Sequence, residues 1–544
     1  MNLLLAFAIA MLIAMVLIPP LGRLAARLHV LDQPGERKVH TAPMPRVGGI
    51  ALAMATLLPV VLWLPLDAQL RGYLTGALWL VVFGVLDDRY SHSPAGKALA
   101  QLAGIALFLL LSGVHFDSFM LADRVALPEW LGFGLTGFFL LAVTNAVNLA
   151  DGLDGLAGGL ALLSCATLAL LGESLDREFP LTLGVILAGA LLGFLRFNTW
   201  PARVFMGDAG SQFLGFTLGV LALDLVQNNN TPVSATLPLL LVGLPVVDTL
   251  SVMLLRMQAR RSPFAADRRH LHHRLLALGF DHYEAVAVIY TLQCALLVLA
   301  WNMRFGNDLL IVAAFALMVL ACVAGIGLLE ARGWRWRRAG EGPGSPLARS
   351  ARWLTAGQRL PRWALRTAAL STMAYWLGVA LYAGPIPADV HWMAAAAALL
   401  LAVGFAWRRS ELVRLWLVRG TLYVAVITAV FLDHRSPQKA AVLQAMKFVF
   451  LPLLALAVVT AVRLSKEKRF GATPLDLLLV FGALALPNLP GLQATGADLG
   501  ISVAKLFALS YAVELVSTLS SRLRMAVHGA GLAFFALIAI RGFV

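Results

Sequence analysis

Charge is scarce in this sequence: 13% of its 544 residues are Asp, Glu, Lys or Arg, while 60% are hydrophobic. A soluble core does not need that much apolar sequence, and the mean hydropathy of +0.81 excludes an ordinary water-soluble domain. Cysteine is nearly missing. Cys165, Cys294 and Cys322 all fall inside apolar runs, which leaves neither a disulfide framework nor metal-ligand spacing. The opening stretch, MNLLLAFAIAMLIAMVLIPP, lacks a basic leader and a clear cleavage site, so it reads as a retained first span. Acidic charge is in the minority, 29 Asp and Glu against 43 Lys and Arg, giving a net charge of +14. In a soluble protein this excess would suggest nucleic acid; among so many apolar runs it is better explained by basic loops on one side of a lipid bilayer. We expect no nucleic-acid partner. There is no convincing internal repeat.

What is present is a series of apolar runs long enough to cross a membrane. The first lies near residues 3–20, and others follow near 47–64, 71–86, 97–113, 129–146, 155–172, 181–196, 211–226, 234–255, 283–301 and 308–328. The expectation is therefore an all-α, polytopic transmembrane helical bundle with about eleven spans before residue 330. The stretch 331–366 is strongly basic with Gly and Pro at its centre, and is the best boundary in the chain. Beyond it, about seven more runs (367–384, 391–407, 415–432, 444–463, 474–488, 501–519 and 525–541) form a region, 367–544, without a constellation of catalytic type.

Counting parity with the N-terminus outside puts 21–46, 87–96, 147–154, 197–210 and 256–282 on one side. These loops carry the arginines and lysines, while the opposite loops are short and poor in them, so the first set is expected to be cytoplasmic. Every polar motif of interest belongs to that same set. Scattered structural polarity would not be so one-sided.

The central motif is TNAVNLADGLDGLAGG, residues 144–159. Asp151 and Asp154 stand three apart, so a continuous helix would place them on one face. Asn145 and Asn148 precede them, and Gly152, Gly155 and Gly159 allow close approach of a ligand or a second backbone. Carboxylates at a membrane helix end need water, a cation or a partner. A metal-bound, phosphate-bearing substrate answers that need; a capped helix start with small-residue packing is the plainer alternative. Asp87-Asp88 closes the third span, where adjacent carboxylates suit a bound cation, or else mark interfacial polarity with Arg89 as partner. Asp208, between Gly207 and Gly210, is either an N-cap or a metal ligand on a small-residue turn. Asn148 and Asp208 would form the sparse oxygen set Mg²⁺ accepts. His270, His272 and His273 lie among Arg268, Arg269 and Arg274. H-x-H-H without cysteine lacks zinc spacing. A cationic, hydrogen-bonding loop for a nucleotide-sugar fits better, with lipid-headgroup attachment as the alternative.

Taken together, LDDR at 86–89, TNAVNLADGLDGLAGG at 144–159, VFMGDAGS at 204–211 and DRRHLHH at 267–273 resemble the polyprenyl-phosphate N-acetylhexosamine-1-phosphate transferase family in order and spacing. The resemblance covers residues 1–330, and its DQPGERKVH–PRVGG and SPF–DR–H-x-HH segments are closer to the WecA-like branch than to the MraY branch. It implies a UDP-N-acetylhexosamine donor, with UDP-GlcNAc first. It also implies undecaprenyl phosphate as acceptor, Mg²⁺ as cofactor with Mn²⁺ as a substitute, and a bacterial inner membrane with the site facing the cytoplasm. By the same resemblance Asn148 and Asp208 are metal ligands. Asp87, Asp88, Asp151 and Asp154 are catalytic or line the active site, and Lys38, Lys97, Asn145, Arg268, Arg269, His270, His272 and His273 are substrate contacts.

Three alternatives stay open at this point. The donor is another UDP-sugar, such as N-acetylfucosamine, N-acetylquinovosamine or the muramyl pentapeptide. The chain forms a homodimer. The protein, or its second half, is a transporter or a partner-docking domain; against this for the first half, the acidic motifs collect at one membrane face rather than at the midplane.

Overall fold

In the computed structural model the described residues are 3–27, 31–32, 43–90, 92–120, 124–227, 233–262, 269–336, 359–406, 411–435, a few between 453 and 460, and 498–543. The chain divides into two compact units, Met1–Ala339 and Gly340–Val544. The first contains α1 (Leu3–Arg27), α2 (Gly48–Trp63), α3 (Ala68–Tyr90), α4 (Pro94–Ser112), α5 (Glu129–Ala150), α6 (Leu156–Ser174) and α7 (Glu178–Asn198). It continues with α8 (Gly207–Val226), α9 (Pro238–Leu241), α10 (Gly243–Gln258), α11 (Leu271–Ala277), α12 (His282–Met303) and α13 (Asp308–Ala331). Two short antiparallel pairs, Leu31–Asp32 with Met44–Pro45 and Ser118–Met120 with Arg124–Ala126, are the only strands among the described residues. Ten helices among them are long and apolar enough to cross a membrane. The chain is a multi-pass, all-α membrane protein.

Two expected spans take a different form. The run at 47–64 folds as the 16-residue α2, shorter than an ordinary span. The run at 234–255 breaks into α9 and α10. The cause is Pro245, which has no N–H to give the Leu241 carbonyl four residues back. Gln293 of α12 repairs the break: its Nε2 donates to the Leu241 carbonyl (3.2 Å) and its Oε1 accepts from the Leu244 N–H (3.1 Å).

The core of the first unit is organised around α8, whose spanning window is wholly buried. No polar face is left to it, so its ionisable residues sit near its two ends. Asp208 lies in its first turn, and Asp224 in its last is held by Arg177 (3.1 Å) and Gln69 (2.6 Å). At 1.5 Å per residue these carboxylates are about 24 Å apart along the helix, close to the thickness of a bilayer core. Neighbouring helices reach α8 through glycines. A Cβ at Gly84 of α3 would lie 2.6 Å from the Ala209 nitrogen, and one at Gly49 of α2 would lie 2.7 Å from the Met206 carbonyl oxygen. Small residues allow this backbone-to-backbone contact, the usual basis of helix association where no water drives it.

The second unit contains α14 (Arg359–Tyr382), α15 (Ala388–Ala406), α16 (Glu411–Arg435), α17 (Asp498–Leu519) and α18 (Ser521–Phe543). Asp433 of α16 is buried, paired with Lys505 of α17 and accepting from the Tyr375 hydroxyl of α14 at 2.9 Å. Arg541 closes the C-terminal end of α14 by donating to the carbonyls of Ala380 (2.6 Å) and Ala383 (2.9 Å). Most of the span expected at 444–463, and all of that at 474–488, lie outside the described residues.

Candidate active site

The start of α8, the end of α3, the start of α4 and the turn between α5 and α6 meet around a cavity of about 560 Å³. Asp87, Asp88, Lys97, Asn148, Asp151, Asp154, Asp208 and His273, all singled out from the sequence, line it. Successive residues on a helix point about 100° apart, so Asp87 and Asp88 diverge. Asp87 is buried; its Oδ1 accepts the His92 backbone N–H (2.7 Å) with His92 Nδ1 at 3.2 Å, and its Oδ2 meets Lys97 Nζ at 2.6 Å.

Asp88 turns to the first turn of α8. Its Oδ1 accepts the Asp208 N–H (3.0 Å) and its Oδ2 the Ala209 N–H (3.2 Å). These N–H groups have no partner within their own helix, and the helix dipole favours a negative charge there. Asp88 therefore caps α8 from another helix, and the N-cap alternative for Asp208 gives way to this arrangement. Gly207 makes it possible: its φ is +73°, and a Cβ there would lie 3.1 Å from the Asp88 carboxyl carbon.

Asp208 itself faces the cavity with both oxygens engaged. Oδ1 accepts from Asn148 Nδ2 at 2.8 Å, and Oδ2 accepts from Lys97 Nζ at 2.7 Å. Asn148 also donates to Ser211 Oγ at 2.7 Å. Its amide would have to rotate to offer its oxygen to a metal, a half-turn that is sterically nearly neutral for Asn.

Asp151 and Asp154 do not share a helix face. α5 ends at Ala150, Asp151 forms its C-cap, and the chain reverses before Gly155, whose φ of +77° starts α6. Glycine permits that left-handed turn and so breaks the helix on which the three-residue spacing would have had meaning. Asp151 is left deep in the cavity. Desolvation, with the nearby charges of Asp208, Asp88 and Asp154, pushes its carboxyl up to about 7. Asp154 instead organises the opposite wall, its Oδ2 accepting the Ala202 N–H at 2.9 Å.

The histidines take separate places. His270 is buried, its Nδ1 2.9 Å from Asp248 Oδ2, while Asp248 Oδ1 accepts the Leu271 N–H at 2.7 Å. His272 packs under the 151–154 turn, where a Cβ on Gly152 would fall 2.6 Å from its ring. Burial, followed by the neighbouring His273, lowers its pKa to about 3, so it is neutral at physiological pH. His273 reaches the cavity. Asn145 is not among the lining residues; it donates to Gln101 of α4 at 2.7 Å and to the Leu141 carbonyl at 2.9 Å. Arg269 donates to the Leu255 carbonyl at 3.4 Å. Lys38 and Arg268 lie outside the described residues.

Four further residues belong here that the motifs did not single out for this role. Arg46 lines the cavity, paired with Asp32 and 3.6 Å from Asp88 Oδ1. His92 holds Asp87, and His282 stacks on Trp200 at 4.4 Å along the opposite wall. Asp248, which positions His270, had a visible signal: an acid inside the apolar run 234–255 is costly without a task.

Among the described residues no three His, Cys, Asp or Glu side chains close on one point as a chelating set. The donors that do converge are hard oxygens, and an ammonium already stands between the carboxylates of Asp87 and Asp208. That arrangement fits Mg²⁺, which takes few protein ligands and completes its shell with phosphate and water.

A helical membrane bundle opening at one end into a cavity lined by carboxylates, an ammonium and a guanidinium has the makings of a membrane enzyme for a charged substrate. Comparison with known proteins gives the family. Residues 70–226, which contain all six of Asp87, Asp88, Asn148, Asp151, Asp154 and Asp208, match the model of glycosyl transferase family 4. Over 289 residues the chain is 36% identical to a probable undecaprenyl-phosphate N-acetylglucosaminyl 1-phosphate transferase of Bacillus subtilis, covering 52% of this chain and 80% of that one. It is 35% identical over 299 residues to a decaprenyl-phosphate N-acetylglucosaminephosphotransferase of Mycolicibacterium smegmatis, covering 49% and 73%. It is 35% identical over 292 residues to the undecaprenyl-phosphate alpha-N-acetylglucosaminyl 1-phosphate transferase of Escherichia coli K12, covering 51% and 76%. The chain belongs to glycosyl transferase family 4, and it is a phosphoglycosyl transferase.

Proposed function

We propose that this protein transfers N-acetylglucosamine-1-phosphate from UDP-GlcNAc to undecaprenyl phosphate, releasing UMP and starting a lipid-linked surface polysaccharide. The reaction takes place at the cytoplasmic face of the bacterial inner membrane. The observation that carries this reading is the meeting of Asp87, Lys97, Asn148 and Asp208 at one end of α8. It joins a charged, oxygen-lined site to helices long enough to hold it at a bilayer surface.

The chemistry is attack of a lipid phosphate oxygen on the β-phosphorus of the donor, with UMP as leaving group. Such transfer is mostly positioning and neutralisation of spreading negative charge. Mg²⁺, with Mn²⁺ able to replace it, would supply charge neutralisation at the phosphates, held by Asp208 and the rotated amide of Asn148. Asp88 fixes the first turn of α8 and hence the aim of Asp208. Asp87 holds Lys97 in the cavity, and Lys97, Arg46 and His273 are the groups that meet anionic oxygens. The lipid phosphate titrates near neutrality, so no strong base is needed to expose its nucleophile. Asp154 and Gly152, braced by Ala202 and His272, form the wall against which the donor lies.

The test is UMP release by the purified full chain from a panel of UDP-N-acetylhexosamines, with and without undecaprenyl phosphate and Mg²⁺. UDP-GlcNAc as best donor, with an absolute need for lipid phosphate, is the expected result. A different best donor would overturn the sugar assignment, and release without lipid phosphate would overturn the acceptor.

A further inference from the structure

Each oxygen of Asp208 already accepts a hydrogen bond, from Asn148 on one and from the Lys97 ammonium on the other. Asp87 is in the same position, with His92 on Oδ1 and Lys97 on Oδ2. A divalent ion binds these carboxylates best once the donor beside it gives way, above all a cationic one, because like charges repel. Asn148 does so by rotating its amide. Lys97 cannot invert its character: it has three N–H donors and no lone pair. It gives way by leaving.

We propose that Lys97 is the resident cation of this site: its ammonium bridges Asp87 and Asp208 in the metal-free protein, and a divalent ion binds by displacing it toward the substrate phosphates. The inference rests on the metal-dependent transferase reading given above. Three features support displacement over a permanent bridge. The Lys97 side chain keeps 31% of its surface exposed, whereas Asp87 is fully covered, so the lysine is the member able to move. It stands in the first turn of α4 at the cavity, on a flexible four-carbon stem, so the displaced ammonium still reaches the cavity. Finally, one ammonium shared by two carboxylates leaves a net negative charge, and Asp88 and Asp154 line the same space, where Arg46 is already shared between Asp32 and Asp88. A dication satisfies that field better than a single positive charge.

The consequence runs against the usual expectation for an active-site lysine. Removing Lys97 should tighten metal binding in the substrate-free protein while abolishing transfer. The probe is Mn²⁺ alone, with free ion read by electron paramagnetic resonance on purified full chain lacking both substrates. Lys97→Met is expected to lower the Mn²⁺ dissociation constant at least tenfold, and Lys97→Arg, which keeps the charge, is not. Asp208→Asn on the Lys97→Met background should lose the gain, showing that the ion reports this site. The rise in melting temperature on saturation with Mn²⁺ should be larger for Lys97→Met than for wild type. Equal or weaker Mn²⁺ binding by folded Lys97→Met overturns the proposal, as does a gain that survives Asp208→Asn. UMP release by the wild type in the same preparation separates failure of this proposal from failure of the transferase reading.

Discussion

Gly84 offers a sharp test of how α3 and α8 set the geometry of the cavity. In Gly84→Ala the new methyl would lie 2.6 Å from the Ala209 nitrogen and 3.0 Å from the Asp208 carbonyl carbon, where ordinary contact begins at 3.4 Å. Both atoms are backbone, so no side-chain rotation relieves the clash, and α3 must move off α8 by somewhat under about 1 Å. The Asp88–Asp208 hydrogen bond of 3.0 Å would then stretch beyond hydrogen-bonding range, and Asp87 would part from Asp208. Overpacking of this kind costs about 1–3 kcal/mol of stability. A misplacement of about 1 Å among reacting groups costs on the order of a hundredfold in rate. We therefore expect Gly84→Ala to lower the turnover for UMP release by about a hundredfold, with a modest fall in melting temperature. Gly134→Ala in α5 is the control, because nothing lies within 4 Å of its Cβ position. It should keep full activity and gain up to about 1 kcal/mol from better helix propensity. Ala209→Gly should not rescue Gly84→Ala, since the obstructing atoms are not in the Ala209 side chain. Turnover of Gly84→Ala within threefold of wild type would refute the claim that this contact sets the carboxylate register.

Three further predictions follow from other parts of the structure. Arg177→Met leaves the buried Asp224 carboxylate short of its cation, which should cost about 3–5 kcal/mol of stability. Turnover per folded molecule should survive, because Asp224 stands at the far end of α8; an equal loss of both would contradict this separation. Between pH 6.5 and about 3 the unfolded chain binds a proton at His272 that the fold refuses, so stability falls as pH drops through that window. At pH 5 this amounts to about 2 kcal/mol; the wild-type melting temperature should therefore drop more from pH 7.5 to 5 than that of His272→Gln, and equal drops would count against a neutral buried imidazole. Asp248→Ala removes the acceptor for both His270 and the Leu271 N–H, and should lower turnover at least tenfold while Asp248→Glu recovers part of it. Full activity in folded Asp248→Ala would show that His270 needs no positioning.

Most of the cavity was legible because its acids stand where apolar helices end, at positions where an unpaired charge needs a purpose. Asp87, Asp88, Asn148, Asp151, Asp154 and Asp208 come from three separate stretches and line one space. What could not be read was how they divide the work. Adjacent Asp87 and Asp88 look alike in sequence, yet one holds Lys97 and the other caps a helix 120 residues away. The shared face expected for Asp151 and Asp154 depended on a continuous helix, which the positive φ of Gly155 interrupts. Pro245 gave warning that 234–255 was not one helix, but the repair by Gln293 is a tertiary contact that no local pattern reveals. Arg46 gives no separate signal, since a basic residue in the loop 21–46 looks the same whether it faces lipid or substrate.

On the proposed function, transfer occurs where Asp208 opens α8. The most direct measurement compares UMP release from UDP-GlcNAc and undecaprenyl phosphate by full-length wild type and Asp208→Asn across a Mg²⁺ titration, with melting temperatures taken in parallel. Lipid- and Mg²⁺-dependent release by the wild type is expected, with a loss well beyond tenfold, about 1.4 kcal/mol in the barrier, for a variant that still folds. Release by Asp208→Asn within tenfold of wild type at saturating Mg²⁺ would contradict that assignment.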